Sequence, residues 1–358
     1  MKNISLRLSN VVGTFTAAGL VMLFSGSASL AAGTSDTISK SFAVEPGGKL
    51  VLDADRGSIE VAAADQDKVD IVVTREVTRA SEAEAEAILK DHDVTMSQEG
   101  NQVRVTAKSS KPLRGSWFRP QPNLRVHFQI TVPRKFDVNT KTAGGSIKVA
   151  GLEGNVEVAT AGGSLSLSKI HGAMNGRTSG GSISVADCVG ELKIKTSGGS
   201  IRVENLEGNV DAGTSGGSLR FTKIDGAVNG RTSGGSVRVS DCTGELDVKT
   251  SGGSIDIKDF TGPSVQAKTS GGSVSADLAS VPKSDCSLST SAGSITVKLP
   301  ETSALNLDAH TSAGKVSTDL PVTTQGKLEG NALSGTINGG GPLLSLKTSA
   351  GSIHIVKR

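Results

Sequence analysis

The sequence predicts an all-β chain, a right-handed β-solenoid of about 18-residue rungs behind an N-terminal β-rich cap that contains one short helix. Three observations predict it. A five-residue phrase, Thr-Ala/Ser-Gly-Gly-Ser, opens at Thr142, Thr160, Thr178, Thr196, Thr214, Thr232 and Thr250, always 18 residues apart. Between copies, apolar and polar residues alternate with the period of a strand whose one face is buried. Gly makes up 45 of 358 residues, Trp occurs once and Tyr not at all, so small side chains must do the packing.

The chain begins with Lys2 and Arg7 ahead of an apolar run from Val11 to Phe24, followed by small residues from Ser25 to Ala32. This order predicts a secretory signal over residues 1–32. The run is shorter than the roughly 20 residues that span a bilayer, and no comparable run follows. The mature chain is therefore expected to lack a transmembrane segment and to be exported, to the periplasm or to the cell surface.

Residues 33–140 read as the cap. Lys49–Leu52, Val69–Val73, Val103–Thr106 and Leu124–Val132 alternate as strands do. Ser81, with Glu84 three residues on, opens an Ala/Glu-rich stretch in the manner of a capping box and predicts a helix to Lys90. Lys111–Pro122, with Trp117 and Phe118 among basic residues and prolines, reads as an exposed loop. A cap is expected because an open sheet edge invites pairing with other chains.

Residues 141–358 read as the repeat array. In one unit Ile201, Val203, Leu206, Val210, Ala212 and Thr214 take the inward positions. Two turns interrupt the alternation: the Gly-Gly pair, expected to supply positive φ, and the region of Gly208 and Asn209. Stacked units give apolar columns, one of Ile147, Leu165, Ile183, Ile201, Leu219, Val237 and Ile255, another of Leu152, Ile170, Cys188, Leu206, Ile224, Cys242 and Phe260. A left-handed hexapeptide helix would need an apolar residue every six, which Ile201, Leu206 and Val210 do not provide. Looser copies follow at Thr269, Thr290, Thr311 and Thr348, with a degenerate one at Leu333–Thr336. A longer period of 54 residues returns Leu152-Glu-Gly-Asn as Leu206-Glu-Gly-Asn and Asp187-Cys188 as Asp241-Cys242. Three rungs separate the two cysteines by about 14 Å, too far for a disulfide, and Cys286 at a different offset is expected to be a lone thiol as well.

The phrase Thr-Ser-Gly-Gly-Ser-Ile at an 18-residue period, preceded by Val132-Pro-Arg-Lys-Phe-Asp137 leading into Thr142-Ala-Gly-Gly-Ser-Ile147, resembles the DUF4097 family of adhesin-like proteins with β-strand repeats. The likeness runs from Phe42 to Ile355. It implies a β-helical solenoid, often exported and sometimes attached to a bacterial envelope, and it supplies no catalytic residue.

Function classes narrow accordingly. The Gly pairs lead into strands rather than helices and lack the Lys of a phosphate loop, so turn geometry explains them. No Asp recurs inside the turn as calcium-binding nonapeptides require. His92, His127, His171, His310 and His354 stand singly, so no metal and no cofactor is expected. The uninterrupted rungs from Thr142 to Thr250 leave no inserted loop for a catalytic cleft, and no catalytic residue is assigned. A formal charge of +3 gives no bulk attraction to nucleic acid.

One surface feature remains. The residue before the repeat Thr is Lys141, Arg177, Lys195, Arg231, Lys249 and Lys268, then His310 and Lys347, with Ala159 and Gly213 intervening. Stacking turns these into an outward basic stripe, which serves either as a solvated face or as a row for an anionic polysaccharide or envelope component. The expected function is an exported, non-catalytic structural or adhesin-like solenoid. A polysaccharide-binding or polysaccharide-active β-helix protein and a periplasmic component of envelope sensing are the alternatives.

Overall fold

A computed structural model describes residues 34–110, 123–324 and 330–358. The expected signal at 1–32 and the Trp117–Phe118 loop lie outside the described residues. Each 18-residue unit places one strand in each of two sheets, because its inward residues come in two groups separated by a corner. Strand Ile201–Glu207 buries Ile201, Val203 and Leu206, and strand Val210–Gly213 buries Val210 and Ala212. Strict alternation would put Leu206 outside. Asn205, at φ 54°, shifts the phase by one residue and returns Leu206 to the core. Lys169, Asp187, Lys223, Asp241 and Asp259 repeat that left-handed conformation at φ 48–56°. Such residues are rare there, each at a cost of roughly 1 kcal/mol, and Asn and Asp tolerate it best. The Asn205 amide also donates to the Asp187 carboxylate one rung away, at 2.7 Å.

Stacking is parallel and in register. Ile183 pairs with Ile201, Ile201 with Leu219, and Leu219 with Val237 in the first sheet. Leu192 pairs with Val210 and Val210 with Val228 in the second. Both predicted apolar columns lie in the core, every member no more than 2% exposed. Cys188, Cys242 and Cys286 are buried and free. Leu206 and Ile224 stand between the first two, so the column keeps them three rungs apart. Burial pushes the three thiols up, Cys242 to about 11, which holds them protonated.

The Gly-Gly pair is needed for a different reason from the one expected. None of these pairs in the regular rungs has positive φ. A Cβ on Gly199 would lie 2.1 Å from the carbonyl oxygen of Gly181 one rung below, and Gly163, Gly181, Gly217 and Gly235 meet the same obstacle at 2.0–2.1 Å. Close approach of backbones, not handedness, excludes a side chain. The first glycine is free of this. A Cβ on Gly198 would meet its nearest atom at 3.5 Å, and Ala292, Ala313 and Ala350 occupy that place in the looser copies. The repeat Thr completes the corner. Its hydroxyl donates to the second-glycine carbonyl of the rung below and accepts the second-glycine N–H of its own phrase, as Thr214 does with Gly199 at 2.8 Å and Gly217 at 3.2 Å.

Rung order departs from chain order at both ends. Strands Gly48–Ala54 and Ser58–Ala64 form a rung lying between that of Gln102–Ser109 with Asn123–Pro133 and that of Phe136–Thr142 with Ile147–Ala150. The looser copies do not follow one another upward either. Thr290 pairs with Thr348, and Thr348 with Thr311, because Leu343–Ala350 and Ile353–Lys357 lie between the rungs at 286–299 and 305–318. The degenerate copy at Leu333–Thr336 is an antiparallel strand, Ala332–Ile337, laid against Leu305–Ala313. Antiparallel strands bound the other end too: Thr34–Ala43 on Lys68–Thr78, and His92–Glu99 on Gln102–Ser109.

The predicted helix is present as Glu82–Asp91, with Ser81 and Glu84 closing the capping box. His92, its C-cap, is buried with both ring nitrogens lacking a hydrogen-bond partner, and its Nε2 is 3.6 Å from Asp55 Oδ1. Burial pushes its pKa down; Asp55 opposes this, while Arg75 and Arg56 reinforce it. Arg75 ties the same region together by bonding Asp36 and the carbonyls of Leu89 and His92.

Two outcomes follow from these contacts. Gly199→Ala should lower stability by about 2–3 kcal/mol through overpacking, whereas Gly198→Ala should stay within about 0.5 kcal/mol; equal thermal midpoints for the two variants would refute the close-approach explanation. For His92, the unfolded chain binds more protons than the folded one between the depressed pKa and the ordinary value of about 6.5. Stability should therefore fall as pH drops below about 6.5, and urea titrations of His92→Gln should show a shallower dependence in that range.

Candidate functional site

The outward residues of the second sheet form columns because its strands from Phe136–Thr142 to Val265–Lys268 pair without slippage. Lys141, Ala159, Arg177, Lys195, Gly213, Arg231, Lys249 and Lys268 follow one another across adjacent strands, and Lys347 and His310 continue the column beyond Ser289. All six predicted stripe residues are thus brought together, at about 4.8 Å per rung. Lys141, Arg177, Lys195, Arg231 and Lys268 are exposed; Lys249 is half-buried and paired with Asp247 at 2.9 Å.

Two residues earlier on the same strands lies a column of different character: Asn139, Glu157, Asn175, Lys193, Asp211, Asn229, Asp247 and Gln266. The basic row therefore borders an acidic and amide row. Small residues open hollows in this face. Gly213 and Ala159 floor a concavity of about 640 Å³ whose rim includes Arg177, Lys195, Arg231, Asp211 and Asn229. Ala173 and Ala227, 54 residues apart, each lie in a further hollow of about 330 Å³. The longer period seen in the sequence is thus written onto the surface as a recurrence of hollows.

The hollow at Ala227 is lined by Glu191, Asp211, Glu245 and Asp247. Glu191 and Glu245 stand three rungs apart, about 14 Å, and Glu191 and Asp247 are held by Lys193 and Lys249. Among the described residues no group of three or more His, Cys, Asp or Glu is placed to hold a metal ion, and no helix is long and apolar enough to cross a membrane.

A second basic row escaped the sequence reading. On the first sheet Arg202 pairs with Arg220 and Arg220 with Arg238, all three exposed on consecutive rungs. Its signal is present as Ser200-Ile-Arg202, Ser218-Leu-Arg220 and Ser236-Val-Arg238. This offset, two residues after the phrase's Ser, is separate from that of the residue before Thr.

The Toastrack DUF4097 family model matches residues 58–242 and again 228–356. No curated protein matches. Among solved structures, a candidate adhesin from Bacteroides fragilis aligns at 12% identity over 90% of this chain and 97% of its own, with a TM-score of 0.26. A candidate cell-adhesion protein from Clostridium sporogenes aligns at 14% over 90% and 100%, TM-score 0.19. A candidate lipid-binding protein from Parabacteroides distasonis aligns at 13% over 91% and 98%, TM-score 0.30. The sequence match, spanning both the early strands and the regular rungs, is what assigns the family: this chain belongs to the Toastrack DUF4097 family.

Proposed function

We propose that this chain is an exported, non-catalytic β-solenoid with a structural or adhesin-like role at the bacterial cell envelope, and that its second-sheet basic column engages an anionic polysaccharide. Residues 1–32 would be removed as the signal, residues 33–140 would serve as the cap, and residues 141–358 would carry the binding face. The observation that carries the binding role is the in-register column of Lys141, Arg177, Lys195, Arg231, Lys249 and Lys268. A polymer with recurring negative charge can meet several of these at once, and multivalency makes weak single contacts useful. The adhesin-like role is supported by membership of the Toastrack DUF4097 family.

The carboxylates around Ala227 favour one rival reading, a polysaccharide-active protein. Glycosidic cleavage by paired carboxylates needs two of them about 5–9.5 Å apart across one bond. Glu245 stands just before the strand Leu246–Lys249 that carries Asp247, and both line the hollow, but Asp247 Oδ2 is engaged by Lys249. Release of reducing ends from acidic polysaccharide by the parent and not by Glu245→Gln would establish the rival.

The leading proposal predicts salt-sensitive binding to polygalacturonate, weakening as ionic strength passes about 0.1 M, where the screening length is about 10 Å. Single substitutions should do little. Replacing Lys195, Arg231, Lys249 and Lys268 together by Ser should abolish that binding in a sedimentation or affinity-electrophoresis assay while thermal unfolding stays unchanged. A quadruple variant that binds as the parent does would reduce the column to a solvated face.

A further inference from the structure

We propose that Arg202, Arg220 and Arg238 form a separate anion-binding ladder on the first sheet, suited to an extended glycan bearing sulfate or phosphate esters and laid along the solenoid axis. The three guanidinium groups occupy successive rungs in parallel register, so about 10 Å of surface carries three positive charges. None has a hydrogen bond or ion pair to any described residue. Like charges directly opposite one another on adjacent strands are unfavourable. A chain that repeats Arg at this offset three times therefore holds an uncompensated row that a multivalent anion would neutralise.

The neighbouring groups support the same ligand. Two residues before each Arg on the same face stand Ser200, Ser218 and Ser236. The hydroxyl oxygens of Ser200 and Ser218 accept the backbone N–H of Ser218 and Ser236, at 3.1 and 3.2 Å. Each of those hydroxyls keeps its own proton to donate outward. On the other side the adjoining column is Glu204, Thr222 and Ser240, which leaves one carboxylate beside three guanidinium groups. Asp256 follows Arg238 in the column, and Lys258 pairs with it at 3.7 Å. The row is thus made chiefly of donors, which recognises oxyanions, and Arg forks match sulfate and phosphate bidentately.

The chemistry favours a glycan over other polyanions. Single-stranded nucleic acid is held largely by bases stacked on aromatic side chains, and the exposed large apolar residues among those described are Val189 and Leu343, neither in this row. For the same reason the face has nothing to insert into a lipid bilayer. Hydroxyls flanking the ladder on both sides suit a hydroxylated, charged chain.

The test uses heparin as the sulfated probe, applied to the full chain and to the variant whose second-sheet column has been removed. Because the ladder lies on the other sheet, that variant should retain heparin binding even if the second-sheet proposal fails. Arg202→Ser, Arg220→Ser and Arg238→Ser together should weaken heparin binding on the order of tenfold or more in both backgrounds. The three corresponding Lys substitutions should give intermediate affinity, since charge is kept and the fork is lost. The thermal midpoint of the triple Ser variant should equal or exceed the parent's, because a like-charge row has been relieved. Arg220→Ser alone supplies a milder variant that breaks the row at its centre. Unchanged heparin affinity in the triple Ser variant overturns the proposal. So does parent affinity for a single-stranded oligonucleotide, or for phosphatidylglycerol vesicles, that matches its affinity for heparin and is lost in the same variant.

Discussion

The spacing between adjacent rungs governs this molecule. Parallel strands lie about 4.8 Å apart, and at the corner where the chain turns between sheets the whole backbone must follow at that distance. The second glycine of each phrase stacks on its counterpart so closely that no side chain fits between them. The Thr before it then has to be small enough for the corner and able to satisfy polar backbone groups that no strand partner reaches. Its hydroxyl does both, donating down the stack and accepting within its own rung. The buried column of Thr160, Thr178, Thr196, Thr214, Thr232 and Thr250 is therefore a satisfied polar ladder inside an otherwise apolar core. Leaving such a group unpaired costs about 1–3 kcal/mol.

That constraint explains which parts of the fold were legible. A contact made between identical positions one rung apart forces identical residues at a fixed interval, so the period, the inward columns and the corner phrase could be read directly. The capping box at Ser81 was equally plain, because its chemistry is local. The reason for the glycines was not, since a close approach of backbones and a left-handed turn leave the same residue in the sequence. Positive φ falls instead on Gly208 and its counterparts in the second turn, and on Asn205 and its counterparts, where Asp, Asn and Lys conceal it. Rung order at the ends was also hidden. Thr290, Thr311 and Thr348 carry the same ladder chemistry, so nothing local distinguishes which stacks on which.

The candidate site was half legible for a related reason. Outward positions carry no packing requirement, and their columns show only when a residue type recurs. The Lys and Arg residues before Thr recur often enough to be noticed. The Arg ladder at 202, 220 and 238 recurs on three rungs alone, between Ser184 and Asp256. The hollows over Ala173 and Ala227 follow a three-rung period that became visible as surface shape only once the rungs were stacked.

The interleaved rung at 343–357 bears on how the chain reaches its native state during synthesis. Residues 305–318 emerge from the ribosome before the strands on which they finally rest. Until then the exposed edge at Cys286–Thr290 and Ile295–Leu299 can accept them directly, since Thr311 offers the same hydroxyl as Thr348. An arrangement one rung short of the native one would draw on the same ladder chemistry. Leu343–Ala350 and Ile353–Lys357 must enter between the two rungs for the native order to form. Native rung order therefore waits on strands that lie later in the chain than the rung they support.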